Sequence, residues 1–189
     1  MVGYRAPLQD LKFALREVSD FTKVLELNNF EAVSSDLIDA ILEEAGKFAS
    51  DSVASINASG DKQGSYLENG IVRTPNGYKD AYAKYVAGGW NGMSFPEDIG
   101  GQGLPFALFL GVNEFFTSAN MSFSLCPLLT TGAIEAMSEH ASEDLKSRYL
   151  PKMLSGEWTG TMNLTEPQAG SDVGALSSKA VSQADGSYL

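Results

Sequence analysis

Apolar side chains recur every three or four residues through most of the first 157 positions, which is the spacing of one face of an α-helix. The cleanest run covers residues 37–53. Either Ser34 or Ser35 can cap this helix, and Asp36 then lies favourably at its positive end. The same reasoning predicts five more helices. They cover residues 8–18, 79–87, 105–116, about 124–138 and 142–154.

Glycines and prolines interrupt these helices in two stretches, residues 57–77 and 92–103, and we expect loops in both. Gly156 ends the last helix, and the pattern then becomes extended. Residues 179–183 alternate polar and apolar side chains, and Asp185-Gly186 after them predicts a hairpin turn.

The extended pattern also includes residues 158–164, so the fold class is mostly α, with a helical region followed by the start of a β domain. Only Ser187, Tyr188 and Leu189 follow the predicted hairpin turn. A hairpin with so short a second strand leaves the edge of its first strand unpaired. We therefore expect the chain to be a fragment that ends inside that β domain.

Composition and charge exclude several classes of function. The 189 residues are 43% hydrophobic and 20% charged, which is ordinary for a globular protein. The net charge of −11 and the lack of a basic stripe argue against nucleic-acid binding. No apolar run reaches the roughly 18 residues of a membrane span, and the N-terminus lacks the apolar core of a secretory signal. We expect a cytoplasmic protein.

The single cysteine and the single histidine leave little room for metal or nucleophilic chemistry. Cys126 cannot form an intramolecular disulfide or a multi-cysteine metal site, and we expect it to be a small buried side chain. His140 lies in a polar segment, and we expect it in a surface loop. No metal site is predicted. Trp90 and Phe95 are expected to anchor either the core or an interface.

Residues 162–172, Met-Asn-Leu-Thr-Glu-Pro-Gln-Ala-Gly-Ser-Asp, are the most informative stretch for chemistry, because two hydroxyls, two acids, a proline and a glycine lie close together there. Pro167 fixes one backbone angle, and Gly170 lets the backbone approach a ligand closely. Thr165 and Ser171 add hydroxyl groups. Such a loop can hold a planar ligand with polar edges, although similar loops also simply connect two strands.

This segment resembles the Thr-Glu-Pro-x-Ala-Gly-Ser-Asp loop of the flavin-dependent acyl-CoA dehydrogenases, and the match from Leu164 to Asp172 is nearly complete. Asn163 departs from it, since the family more often has a small residue there. The glycine-rich run at residues 89–105 and the run at 143–157 are similar to the family as well. Tyr4-Arg5-Ala6-Pro7 resembles an extension in a subgroup that includes enzymes similar to methylmercaptopropionyl-CoA dehydrogenase and some longer-chain acyl-CoA dehydrogenases.

The resemblance implies an organisation into an N-terminal extension at residues 1–34, a helical N-terminal domain at 35–157 and an incomplete start of the middle β domain at 158–189. It implies FAD as the cofactor and α,β-dehydrogenation of an acyl-CoA thioester as the reaction. It also implies an electron-transfer flavoprotein as the electron acceptor, a homodimer or homotetramer when the protein is full length, and no membrane span.

The resemblance also implies roles for individual residues. Met162, Leu164 and Thr165 would contact the flavin ring system, and Gly170 and Ser171 would face its phosphate and ribityl side or the substrate thioester. Ser171 and Ser124 are the candidate substrate contacts, because the helix start at 124–129 would line the acyl pocket. The catalytic glutamate is expected beyond residue 189, so the 189 residues alone are predicted to be inactive.

Glu166 is expected to shape the loop rather than to act as the base. Two other readings remain open. One is an acyl-CoA oxidase or flavin monooxygenase on the same scaffold, and the other is a non-catalytic helical binding or assembly module.

Overall fold

The computed structural model describes residues 3–189, apart from the side chain of Asn28. Met1 and Val2, the first two residues of the predicted extension, lie outside the described residues. Within that range the chain forms eight α-helices and one pair of strands, with short 3₁₀- and π-helical segments between or beside them, among them Ala14–Val18 and Ala49–Val53. The α-helices and strands are α1 (Leu8–Phe13), α2 (Thr22–Leu25), α3 (Ser35–Phe48), α4 (Asn57–Gln63), β1 (Tyr66–Glu68), β2 (Ile71–Arg73), α5 (Tyr78–Ala87), α6 (Phe106–Ala119), α7 (Met121–His140) and α8 (Glu143–Leu154).

Capping side chains begin the longer helices where the sequence places a Ser or an Asn. Ser34, rather than Ser35, caps α3, because its Oγ accepts a hydrogen bond from the Leu37 N–H at 3.1 Å. Ser142 caps α8 in the same way through the Leu145 N–H at 3.4 Å. The prediction for α7 was wrong at its start, since Asn120 accepts from the Phe123 N–H at 3.1 Å and begins the helix at Met121.

The main hydrophobic core lies where α3, α5 and α6 meet. Its centre is a group of aromatic side chains around Phe116, whose ring centroid lies 5.3 Å from that of Phe48 and 5.5 Å from that of Trp90, both in edge-to-face contact. The phenol of Tyr85 lies in the same group, and burial raises its pKa. Trp90 is therefore a core residue, which is one of its two predicted roles.

A second, smaller core joins α7 to α8. Ile134 on one helix and Leu150 on the other are almost completely buried, and Phe95 packs with them from the preceding glycine-rich turn. Close approach inside that turn requires Gly101, because a Cβ there would lie 2.0 Å from the Phe95 carbonyl oxygen. Asn91 ties the turn to α8 by donating to the Met153 carbonyl.

The N-terminal extension packs directly on the helical region. The Tyr4 hydroxyl donates to the Phe115 carbonyl at 3.1 Å, and the Ala6 N–H donates to the Ser50 hydroxyl at 3.3 Å. The Lys12 ammonium also pairs with the Glu43 carboxylate at 2.9 Å. The domain boundaries at residues 34 and 157 stay predictions.

The predicted loop at residues 57–77 is wrong in part, because it contains α4 and an antiparallel hairpin. Strands β1 and β2 pair with Tyr66 opposite Arg73 and Leu67 opposite Val72. Asn69 and Gly70 form the turn with φ of 53° and 77°, the left-handed conformation that two-residue hairpin turns need.

The segment after α8 contains little regular structure. Residues 158–164 were predicted to be extended, but they join no ladder because no strand lies beside them within the described range. The hairpin predicted around Asp185-Gly186 is present in its first pairs, since Val181 and Leu189 exchange two main-chain hydrogen bonds of 3.0 Å. None of the described helices combines the length and apolar character needed to cross a membrane.

Candidate functional site

The loop at residues 158–172 begins on the end of α8 and is held there by its first residue. The Trp158 N–H donates to the Lys152 carbonyl at 3.0 Å, and the Lys152 ammonium lies 4.4 Å from the centroid of the indole ring. The Tyr149 ring packs against the Trp158 ring, with 5.7 Å between the two centroids. These contacts fix where the chain leaves the helical region.

Gly160 brings the loop into direct contact with α7. Its N–H donates to the Thr130 Oγ1 at 3.1 Å. A Cβ at Gly160 would lie 2.5 Å from the Ala133 Cβ, so only glycine permits this approach. Sequence reasoning missed both contact residues on α7, because nothing in the spacing along the helix indicates which face the later loop crosses.

Residues 162–165 extend from this anchor with their side chains exposed. Met162 is 63% exposed and Leu164 46%, and Thr165 is exposed as well. Within the described residues, the main chain of 162–165 makes no hydrogen bond, and neither does the Thr165 hydroxyl. This stretch therefore presents a row of free main-chain donors and acceptors beside two apolar side chains.

A tight turn follows, and Glu166 stabilises it. Glu166 and Ala169 exchange two main-chain hydrogen bonds of 3.0 Å around Pro167. The Glu166 carboxylate accepts 2.9 Å hydrogen bonds from the N–H groups of Ser177 and Ser178, and one from the Ser177 hydroxyl. The loop-shaping role expected for Glu166 agrees with this geometry.

The same contacts decide the protonation state of Glu166. Hydrogen bonds from the Ser178 side chain, then from the main chain of Ser177 and Ser178 and the Ser177 hydroxyl, hold the pKa of the carboxyl far below its usual range. A carboxylate with so low a pKa is a poor proton acceptor at neutral pH. Glu166 is therefore an anion that stabilises the turn.

Gly170 and Ser171 lie at the far end of the loop and face open space. A Cβ at Gly170 would meet no atom within 4 Å, and Ser171 is exposed. No described residue hydrogen-bonds the Ser171 hydroxyl. The next residue, Asp172, closes the loop, because its Oδ1 accepts from the Gly174 N–H at 3.1 Å.

Ser124 differs from the other predicted site residues because it is buried. It is 4% exposed, and its hydroxyl donates to the Asn120 carbonyl at 3.2 Å. The part of α7 that faces outward here is formed instead by Met121, Leu125 and Leu128, which are 58%, 48% and 51% exposed. These residues lie about one helical turn apart and form an apolar surface, and Leu125 and Leu128 fall within the stretch 124–129 that was predicted to line the acyl pocket.

Two further expectations about single residues need correction. Cys126 was expected to be buried, but it is exposed on α7, and partial desolvation raises the pKa of its thiol. His140 was expected in a loop, but it is the exposed last residue of α7. No cluster of three or more metal-ligating side chains occurs within residues 3–189.

The residues of the loop have two properties that fit an FAD ring system. The flavin's pyrimidine edge carries alternating hydrogen-bond donors and acceptors beside an apolar ring face. Free main-chain groups at 162–165 and the apolar side chains of Met162 and Leu164 match both properties.

Known proteins share both the sequence and the fold. Residues 35–157 match the family model described as the acyl-CoA dehydrogenase N-terminal domain. The chain belongs to the acyl-CoA dehydrogenase family. It is 45% identical over 185 residues to the 3-methylmercaptopropionyl-CoA dehydrogenase of Ruegeria pomeroyi. This alignment covers 98% of this chain and 32% of that protein.

Two other comparisons agree with this assignment. The chain is 36% identical to a butyryl-CoA dehydrogenase of Syntrophomonas wolfei, over 94% of this chain and 30% of that protein. The solved butyryl-CoA dehydrogenase of Megasphaera elsdenii matches with a TM-score of 0.69 at 21% identity, over 82% of this chain and 39% of that one, and so shares the fold. The chain thus spans about a third of the length of the curated relatives it matches.

Proposed function

We propose that this chain forms the N-terminal part of an FAD-dependent acyl-CoA dehydrogenase and supplies one side of its flavin site. The observation that carries the proposal is the loop at 162–171. Its main chain is free at 162–165, while the one carboxylate within it, Glu166, is fully engaged in holding its shape. The loop is thus preorganised to bind and orient a ligand rather than to exchange protons with it.

Each predicted contact has a role in this proposal. Met162 and Leu164 pack on the flavin ring system, and Thr165 bonds its polar edge through the main chain and the hydroxyl. Gly170 and Ser171 face the phosphate and ribityl side of the cofactor or the thioester of the substrate. FAD held by these residues would supply an acceptor for the β hydrogen of the acyl group as hydride, which is chemistry that amino-acid side chains do not supply.

The substrate is proposed to be an acyl-CoA thioester. The two relatives described above are named for 3-methylmercaptopropionyl-CoA and butyryl-CoA, so thioesters of short acyl groups are the first to test. Ser171 is the proposed contact to the thioester. Ser124 stays a proposed contribution to the acyl pocket, although its hydroxyl is used within α7.

Other parts of the activity are proposed to lie outside these 189 residues. They include the glutamate that removes the α proton and the remaining flavin contacts, so the chain alone is expected to be inactive. The proposal also includes an electron-transfer flavoprotein as electron acceptor and a homodimeric or homotetrameric assembly, and the family resemblance supports both.

An anaerobic titration of the full-length, flavin-loaded protein tests the proposed reaction. Butyryl-CoA and 3-methylmercaptopropionyl-CoA are added in turn, and the long-wavelength flavin absorbance is followed. Loss of that absorbance with one of the thioesters supports the dehydrogenase. A protein that purifies without flavin and cannot be reconstituted contradicts the proposal, and rapid reoxidation of the reduced flavin by air indicates an oxidase or monooxygenase instead.

A pair of threonine variants tests the proposed flavin contact. Thr165→Val removes a hydroxyl proposed to bond the flavin and is expected to weaken FAD binding about fivefold to tenfold. Thr161→Val removes a hydroxyl of the same exposed segment that has no proposed contact, and FAD binding should stay unchanged. FAD dissociation constants from fluorescence titration of the apoprotein give the comparison. Equal affinities of the two variants would exclude the proposed bond from the Thr165 hydroxyl to the flavin.

A further inference from the structure

The end of helix α8 is held by side chains from two other parts of the fold. Asn91, in the glycine-rich turn, is 2% exposed and donates through Nδ2 to the Met153 carbonyl and, at 3.4 Å, to the Leu154 carbonyl. The Tyr82 hydroxyl, on α5, donates to the Gly156 carbonyl at 3.1 Å. The last carbonyls of a helix have no partner within it, so these donors help to fix the direction in which the chain leaves α8.

Gly156 itself lies against α5 in a position that only glycine can occupy. Its φ of 74° is in the left-handed region, and a Cβ there would lie 2.4 Å from the Val86 Cγ2. Val86 and Tyr82 are four residues apart and so share one face of α5. The turn after α8 is therefore held on that face by both packing and a hydrogen bond.

Only one end of the Asn91 amide is used to hold α8. Its Oδ1 is buried and has no hydrogen-bond partner within residues 3–189. A buried amide oxygen without a partner costs free energy, which an apolar side chain at this position would avoid. What an apolar side chain cannot supply is the pair of hydrogen bonds from Nδ2 to the end of α8, and these bonds are therefore the specific contribution of Asn91.

The proposed flavin contacts depend on this junction for their position. Two main-chain hydrogen bonds, donated by Trp158 and Gly160, hold the chain between the junction and residue 162. The main chain of 162–165 makes none within the described residues. A binding group is effective only when it is held in its productive orientation, and a shift where the segment begins would change the orientation of all of it.

We propose that Asn91 and Tyr82 are positioning residues of the flavin site. They hold the end of α8 and so present residues 162–165 to the cofactor in one orientation, although neither residue belongs to the loop. This inference rests on the proposed function, because it gives the two residues a role in the site that the loop is proposed to form. Their loss is therefore expected to lower FAD affinity and not only stability.

Two tyrosines of α5 allow a matched comparison in the full-length protein. Tyr82→Phe removes the hydrogen bond to the Gly156 carbonyl, and Tyr78→Phe removes those to the Asn120 side chain at the start of α7. Each variant loses a contact to a distant residue, but only Tyr82 holds the junction. Tyr82→Phe is expected to raise the FAD dissociation constant of the apoprotein about threefold to fivefold, and Tyr78→Phe should leave it unchanged.

Thermal unfolding of the two apoproteins shows how much stability each variant has lost. A purely structural role of Tyr82 predicts that FAD affinity falls with stability in the same proportion in both variants. The proposal is overturned by that result, and also if Tyr82→Phe and Tyr78→Phe bind FAD with equal affinity.

Asn91→Leu tests the second contact, because it replaces the amide by an apolar side chain that branches at the same atom. It is expected to raise the FAD dissociation constant about tenfold, since both bonds to α8 are lost. Hydrogen exchange in the apoprotein gives a readout that needs no flavin. The amides of Trp158 and Gly160 should exchange about fivefold faster in Asn91→Leu. The Ala169 amide, which is bonded to the Glu166 carbonyl within the loop, should not change.

The two readouts separate this inference from the function on which it rests. Unchanged exchange at Trp158 and Gly160 in both Asn91→Leu and Tyr82→Phe overturns the inference, whatever the FAD affinity. Faster exchange with unchanged FAD affinity overturns it as well, because the junction would then move without affecting the site. An unmodified full-length protein that binds no FAD contradicts the proposed function itself, and this is established before any variant is compared.

Discussion

The helical region at residues 35–157 and the segment at 158–189 are stabilised in different ways. In the helical region, large side chains such as Phe115, Leu42 and Ile134 are almost completely buried in two cores. In the later segment only Ala169 is buried. That segment relies instead on hydrogen bonds that its own residues donate to carboxylates, above all that of Glu166.

This difference separates stability from binding. Buried apolar area supplies most of the free energy of folding, and the helical region contains nearly all of it. Local hydrogen bonds add little to global stability but can fix the shape of a loop whose other side stays open. The helices therefore act as the support, and the loop offers the groups proposed to contact the flavin.

Removing a large side chain from the core should give the largest difference in stability between a change in the helical region and a change in the later segment. Phe115→Ala is expected to lower the free energy of unfolding by about 3–5 kcal/mol, because the side chain is completely buried and leaves a cavity. Met162→Ala, at a side chain 63% exposed, should change it by less than about 0.5 kcal/mol. Urea unfolding of the 189-residue chain, followed through the buried Trp90, measures both.

The proposed difference between the two regions would be wrong if Phe115→Ala and Met162→Ala lowered the free energy of unfolding by similar amounts. In that case Met162 would have to be packed in a core, contrary to its exposure. Circular dichroism at low urea should show that Phe115→Ala still populates a helical state before the two unfolding curves are compared.

Sequence reasoning predicted the helical region well because its physical signals are local. Periodic apolar residues and a capping serine identify α3 and α8 from a few neighbouring positions. The hairpin β1–β2 also had a local signal, the Asn69-Gly70 turn between apolar pairs, but its glycines were read only as helix breakers.

The candidate site was less predictable because its contacts join distant positions. The loop itself could be found from its composition and its family resemblance. Thr130 accepts a hydrogen bond from Gly160, thirty residues later, and Glu166 accepts hydrogen bonds from Ser177 and Ser178. Residues so far apart along the chain produce no periodic pattern in the sequence. The exposure of Cys126 likewise depends on how α5 and α7 are spaced around the cavity that Tyr78, Tyr82 and Phe123 line.

Two neighbouring threonines on α7 sharpen the comparison at the point where the two regions meet. Thr130 and Thr131 each donate to a main-chain carbonyl four residues earlier, both at 3.0 Å, but only Thr130 also accepts from Gly160. Thr130→Val should therefore cost about 1 kcal/mol more local stability than Thr131→Val. Hydrogen exchange at the Gly160 amide should be about fivefold faster in Thr130→Val, and equal rates in the two variants would mean that this anchor is dispensable.

The smallest effect on global stability is expected at Glu166, where the change is confined to the loop. The pKa of the Glu166 carboxyl is lower in the folded protein than its ordinary value of 4.5. The stabilisation that the carboxylate gives is therefore fully present when the pH is above 4.5. It is lost progressively as the pH falls below that value towards the depressed pKa. Hydrogen exchange at the amides of Ser177 and Ser178, corrected for its intrinsic pH dependence, should show less protection below pH 4.5 while the core amides stay protected.

Glu166→Gln keeps the size of the side chain but removes its charge, and it should give at neutral pH the low protection that the unmodified loop reaches only in acid. Asp185 is the matched control, since hydrogen bonds from Ser187 also lower the pKa of its carboxyl, in a turn remote from 162–171 along the chain. Asp185→Asn should leave the Ser177 amide unchanged. If Glu166→Gln left protection of Ser177 and Ser178 unchanged at pH 7, the shape of the loop would have to come from the turn at Pro167 alone, and the carboxylate would be free for another role.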